Sequence, residues 1–235
     1  PVMSGTQYTV SGALYRILCR LTDPGPVQTH LAESREELRF LRDGGGPLRG
    51  LLRDAGRPRP FAEPPGVSPV AWLDRLGALR PPLVAVHGNF LSRTDVERLA
   101  RRRVPVVFCP RSHAFFGHPP HPVRALRKAG VPVALGTDSL ASNDALDVRA
   151  EMREAVERHG VRPREAWRMA TMHGAAALAL GRGAGTLGPG APADLVALSR
   201  PRGAGSREMA ERLIDPDVSG ASIWGGGHAI RRDGG

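Results

Sequence analysis

The chain has 235 residues, 41% of them hydrophobic, which is enough to bury a substantial core, and no apolar run approaches the roughly 18 residues of a membrane span. Its net charge of +10 is carried almost wholly by arginine, Lys128 being the one lysine, and only 5% of the residues are aromatic. Dispersed arginines with few stacking rings argue against nucleic acid as a partner. Cys19 and Cys109 lie far apart in apolar settings and read as free buried thiols.

In chain order, short apolar strands alternate with helices. Ser11 is placed to cap a helix over residues 13–18, and Asp23-Pro24-Gly25-Pro26 reads as a turn. Residues 27–30 form a short buried strand, and a helix over residues 33–41 carries Glu36 and Glu37 in its first turns. Residues 44–67, rich in Gly, Pro and Arg, read as a long loop with a short helix near 48–55; this is either a lid or a solvated surface excursion. A helix over 69–79, a strand over 83–86, a helix over 95–103 capped by Thr94, and a strand over 104–109 follow. Gly130 stops a helix over 123–129, and 131–135 is the next strand. Helices over 144–159 and 163–180 come next. The character then changes: 193–198 reads as a strand, 221–224 with 228–230 as a terminal hairpin, and 231–235 as a frayed end. This order predicts a parallel α/β sheet, either barrel or doubly wound.

Three of these strands end in polar residues: His30 with Glu33 three positions on, His87, and Asp138. A parallel (β/α) barrel presents its catalytic groups at strand ends, and a His, Glu, His and Asp set is what a metal hydrolase needs for ligation and proton transfer. Glu33 is placed to pass a proton from water to a leaving group, although Ser34 with Glu37 also reads as a capping box. His87 reads as a residue that orients the attacking water or polarises the substrate, or as a buried structural histidine. Gly88 after it allows close backbone approach. Asp138 can bind a metal through one oxygen, or form an Asx turn or helix cap. Residues 141–143 form a turn that either binds substrate or starts the next helix. Ser112 and His113, after the 104–109 strand, are placed to reach the same rim. His118 and His121 are separated by two prolines, which disfavours joint ligation. A catalytic zinc usually takes three protein ligands, yet the chain contains no His-x-His pair.

With these motifs in order, the chain resembles the amidohydrolase superfamily. The similar branch holds the thio- and homocysteine-nucleoside deaminases, the cytosine and guanine deaminases and the triazine chlorohydrolases. The likeness rests on His30-Leu-Ala-Glu33-Ser34, His87-Gly-Asn89, Cys109-Pro-Arg-Ser112-His113 and Leu135-Gly-Thr-Asp138-Ser-Leu-Ala-Ser-Asn143, matching the ends of the fifth to eighth barrel strands. Gly185-Thr-Leu-Gly-Pro-Gly-Ala-Pro-Ala193-Asp194-Leu-Val196 resembles the return into the family's small β domain. The resemblance implies His30 and Asp138 as metal ligands, with His87 a further candidate, for one Zn²⁺ or, alternatively, Fe²⁺. It implies Glu33 as proton shuttle and Glu33, His87, Ser112 and Ser139 as substrate contacts. The family's first-strand His-x-His pair is absent, and Gly5 stands where relatives commonly have a substrate-contacting histidine.

The expected fold is therefore α/β. Residues 1–184 are expected to form the C-terminal half of a (β/α)8 barrel, about strands five to eight, and 185–235 part of a small β-sandwich domain. The expected function is hydrolytic deamination of a small amino-substituted nitrogen heterocycle in the cytoplasm, with no membrane or nucleic-acid partner and homo-oligomerisation left open. The chain is expected to be a fragment inactive alone. The alternative is a non-catalytic half-barrel interaction module that has lost its metal site.

Overall fold

The computed structural model describes residues 5–20, 25–57, 61, 63–201, 203, 205, 208–218 and 221–230. The Asp23-Pro24 part of the expected turn and the frayed end over 231–235 lie outside these residues, as do four positions of the 44–67 segment. The chain divides into two compact units: residues 1–109 with 113–133, and residues 110–112 with 134–235.

The first unit holds most of the sheet. β1 (Val27–Leu31), β2 (Leu83–His87) and β3 (Val106–Phe108) pair in parallel, Val27 against Leu83 and Ala85 against Val106. The sheet runs β1-β2-β3-β4, and the boundary between the units falls within β4 (Val133–Leu135). Helices make the crossovers that parallel strands require. They are α2 (Arg35–Asp43), α3 (Pro47–Asp54) and α4 (Pro69–Arg75) between β1 and β2, and α5 (Arg93–Arg102) between β2 and β3. Shorter α6 (Pro110–Phe115) and α7 (Val123–Lys128) lie between β3 and β4, and α1 (Gly12–Leu18) precedes β1. Phe40, Leu41, Leu73, Leu79, Leu83, Leu99, Phe108 and Leu126 are buried to 2% exposure or less, so the strands are packed on their helix-covered faces.

Local chemistry explains most boundaries. Ser11 caps α1, its Oγ accepting the Leu14 N–H. The α5 cap is Ser92, not Thr94. Its Oγ accepts the Asp95 N–H while Asp95 Oδ2 accepts the Ser92 N–H, and Asp95 Oδ1 also takes the Ser68 hydroxyl at 2.5 Å. That tertiary bond adds to the Ser92 cap a support that the Thr94 expected from sequence lacks. The 44–67 segment contains α3, and its described part is tied to the unit: Gly66 N–H donates to Leu41 O, and Arg75 to Pro65 O. Cys19 and Cys109 are buried free thiols, as expected.

In the second unit, α8 (Val148–His159) starts later than expected because Asp147 caps it through the Arg149 N–H. The expected single helix over 163–180 is two, α9 (Pro163–Ala170) and α10 (Met172–Ala177), broken at Thr171. Thr171 Oγ1 donates to Trp167 O there, and Gly185 approaches so closely that a Cβ on it would lie 2.7 Å from the Thr171 carbonyl carbon. β5 (Leu195–Leu198) is followed by α11 (Met209–Arg212), which sequence did not predict. Its surroundings are stapled by Arg149, whose guanidinium donates to the carbonyls of Leu213, Asp215 and Val218. β6 (Ala221–Gly225) and β7 (His228–Ile230) form the expected hairpin and join β5 in a three-stranded antiparallel sheet. Gly226 and Gly227 have φ of 58° and 83°, the pair of left-handed residues a two-residue hairpin turn demands. Among the described residues no helix is long and apolar enough to cross a membrane.

Candidate functional site

His30 and His87 meet at the C-terminal ends of β1 and β2. The register pairs His30 with Val86 and Leu31 with His87, so a regular strand would send the two imidazoles to opposite faces. It does not, because His87 has φ of 73°. That left-handed turn brings the rings to 5.2 Å between centroids at 22°, with a nitrogen of each within 4.8 Å of the other. Holding a non-glycine residue in this region costs on the order of 1 kcal/mol. His87 is 2% exposed, and its carbonyl accepts the Nε2–H of His121 at 2.8 Å.

Glu33 joins this pair. Its Oε1 lies 3.6 Å from His87 Nε2. Its own backbone is held on both sides: the N–H donates to Glu37 Oε2 at 2.8 Å, and the carbonyl accepts Asn89 Nδ2–H at 3.0 Å. Glu37 Oε1 accepts the Ala32 N–H at 2.9 Å. Burial pushes the Glu37 carboxyl up, to about 8, although the backbone donors of Glu33 and Ala32 pull the other way. Ser34 does cap α2 through the Glu37 N–H, but the Glu37 carboxylate turns to Ala32 and Glu33.

In the second unit, Asp138 follows β4 with φ of 58°, another left-handed strand end. Its Oδ2 accepts two hydroxyls, Ser112 at 2.7 Å and Ser142 at 2.9 Å. Ser112 lies in α6, and Glu151 Oε2 accepts the N–H of the neighbouring Arg111 at 2.9 Å. Glu151 Oε1 accepts Asn143 Nδ2–H at 2.6 Å, and that same amide donates to Thr137 O. Burial raises the Glu151 carboxyl, and these donors oppose it. Ser139 is exposed, its Oγ accepting the Ala141 N–H. Residues 141–143 thus brace the Asp138 turn; they do not open α8.

Two histidines of the 113–121 segment make contacts within the fold. His113 Nε2 donates to Pro119 O at 2.9 Å, and its pKa is lowered by burial. The His121 ring stacks on Phe108 at 3.8 Å. Sequence reasoning missed Glu37, Asn89 and Glu151 as supports of the site. Glu37 had entered only through the capping box with Ser34, Asn89 only within the His87-Gly-Asn89 motif, and Glu151 not at all. Two imidazoles and a carboxylate are a donor set suited to Zn²⁺ or Fe²⁺, and His30 and His87 stand close enough to serve one ion.

A model of the amidohydrolase family matches residues 25–220. An aminodeoxyfutalosine deaminase of Deinococcus radiodurans is 38% identical over 178 residues, covering 72% of this chain and 43% of the relative. A 5-methylthioadenosine/S-adenosylhomocysteine deaminase of Pelotomaculum thermopropionicum is 36% identical over 178 residues, covering 72% of this chain and 36% of the relative. The chain thus spans less than half the length of these two relatives. The crystal structure of an adenosine deaminase from Xanthomonas campestris with bound zinc superposes with a TM-score of 0.74 at 28% identity, over 96% of this chain and 50% of that one. Aminofutalosine deaminase of Helicobacter pylori, in complex with methylthio-coformycin, gives 0.77 at 21% identity, over 97% of this chain and 57% of that one, a likeness of fold.

Proposed function

Because the chain belongs to the amidohydrolase family, we propose that its activity is the metal-dependent hydrolytic deamination of an amino-substituted nitrogen heterocycle. The observation that carries this reading is the meeting of His30 and His87 at neighbouring strand ends with Glu33 3.6 Å from His87. On this reading residues 1–184 belong to a (β/α)8 barrel and 185–235 to a small β domain.

His30 and Asp138 would hold one divalent ion, Zn²⁺ before Fe²⁺, with His87 either a third ligand or the group that hydrogen-bonds the attacking water. When bound, such an ion would supply the Lewis acidity that lowers the pKa of water toward neutrality. Glu33 takes a proton from that water and delivers it to the departing amine. The balance is ring C–NH₂ plus H₂O giving ring C=O plus NH₃. His87 faces Glu33 and steadies the developing charge. Ser112 acts through its bond to Asp138, and Ser112 and Ser139 are the polar groups offered to the substrate. A cytoplasmic setting suits such a small polar substrate.

The names of the relatives make adenosine and 5-methylthioadenosine the first substrates to assay. In the full gene product, His30→Ala and Asp138→Asn should each lose bound metal and turnover, and Glu33→Gln should keep metal while losing about 10²–10⁴-fold in turnover. Full activity in both His30→Ala and Asp138→Asn would sink the reading. A monodisperse, metal-free and inactive wild-type protein would favour a non-catalytic interaction module.

A further inference from the structure

We propose that Glu37 is a positioning residue, a buried carboxyl group that sets where the Glu33 side chain stands; the inference rests on the role proposed for Glu33. Glu37 lies in the first turn of α2 and is 0% exposed. Its two oxygens take two consecutive main-chain donors, Oε1 from Ala32 at 2.9 Å and Oε2 from Glu33 at 2.8 Å. Ala32 has φ of 50°, and a left-handed residue at this point aims successive N–H groups at one acceptor group. On the far side of Glu33, Asn89 Nδ2 donates to the Glu33 carbonyl at 3.0 Å, and the Phe90 N–H donates to Ala32 O at 2.9 Å. Both peptide planes that flank the Glu33 Cα are therefore pinned, which fixes its Cα–Cβ direction and leaves only side-chain torsions free. That direction is what places Glu33 Oε1 3.6 Å from His87 Nε2.

Helix capping does not account for this arrangement. The bond that caps α2 runs from the Glu37 N–H to Ser34 Oγ and needs no carboxylate. A side chain serving only the helix would return to the Ser34 N–H, as in a capping box. Here it is spent on the two residues that lead into the site. Small displacements of a proton carrier are expensive in rate, so such a clamp has a kinetic consequence.

The test is Glu37→Gln in the full gene product, which keeps the shape but turns an amide nitrogen toward one of the two N–H donors. Amide exchange should speed up at Ala32 and Glu33 by roughly tenfold or more. The His30 amide, which donates to Gly5 O, should be unchanged. With an amino-heterocycle substrate, kcat should fall about 10–100-fold, the usual effect of losing a supporting hydrogen bond, with KM and bound metal little changed. Ser34→Ala, which removes the cap and leaves the carboxylate, should lower Tm and leave kcat alone. Wild-type kcat and wild-type exchange in Glu37→Gln would overturn the proposal. So would a Ser34→Ala variant as slow as Glu37→Gln, since helix packing alone would then set the rate. If Glu37→Gln fails to fold, Glu37→Asp, which draws the carboxyl group back from both N–H donors, takes its place, and unchanged kcat with unchanged exchange there overturns the proposal equally. A wild-type protein inactive on every amino-heterocycle removes the deamination reading, and the exchange measurement then decides the clamp by itself.

Discussion

Glu37 makes a prediction at the scale of one residue. An ordinary carboxyl titrates near 4.5, and burial raises Glu37 to about 8. Between these values the folded chain holds a proton that the unfolded chain has released. The folded state gains from that proton, so this contribution to stability is fully present below about pH 4.5 and is lost as pH rises through about 8. Urea unfolding should therefore show stability falling from pH 5 to pH 9 by an amount on the order of a few kcal/mol, and Glu37→Gln should flatten that slope. An equally steep slope in the variant would assign the pH dependence to other groups. The candidate residues could be picked out at this scale. His30, Glu33, His87 and Asp138 stand out because polar residues closing apolar strands are conspicuous. The roles of Asn89 and Glu151 were not legible, since they bond Glu33 and Arg111, 56 and 40 residues away, and that of Glu37 was not, because its local pattern reads equally as a capping box. The left-handed φ of His87 was equally invisible; only the strand register shows why it is needed.

At the scale of elements, α4 and α5 share one carboxylate. Asp95 accepts the hydroxyls of Ser68 and Ser92, and those serines cap α4 and α5 respectively. Ser92→Ala should cost about 1–2 kcal/mol, the ordinary loss of a cap. Asp95→Ala should cost more, because it leaves two partly buried hydroxyls without their acceptor. Ser68→Ala and Ser92→Ala should couple by roughly 0.5 kcal/mol or more in a double-mutant cycle by urea denaturation, and strict additivity would show that the caps are independent. The same shared bond is what the sequence reading lacked when it chose Thr94: both Thr94 and Ser92 are able caps, and the partnership with the distant Ser68 belongs to Ser92 and Asp95 alone. Strands and long helices could be read because their periodicity is local. The break at Thr171 and the four-residue α11 could not, since one depends on the approach of Gly185 and the other on the three carbonyls gathered by Arg149.

At the scale of the whole molecule, the apolar surface is the informative quantity. Among the described residues β5 is an edge strand of its sheet, and Leu195 and Val196 are 37% and 63% exposed. Leu187, ahead of it, is 89% exposed, and Ile17 in the other unit is 56% exposed. An unpaired strand edge that also presents aliphatic side chains is a template for association. The chain spans 43% and 36% of two deaminase relatives. If the remainder of such a protein covers these residues, the 235-residue chain alone should elute as oligomers or aggregate and bind a hydrophobic dye. Covering these residues with the missing part of such a relative, produced together with the chain, should make it monodisperse and abolish the dye signal. Val196→Lys, which places a charge on the strand edge, should reduce association of the chain alone without restoring metal binding. A monodisperse, dye-negative wild-type chain at high concentration would defeat this account, because its exposed aliphatic side chains would then be an ordinary solvated surface.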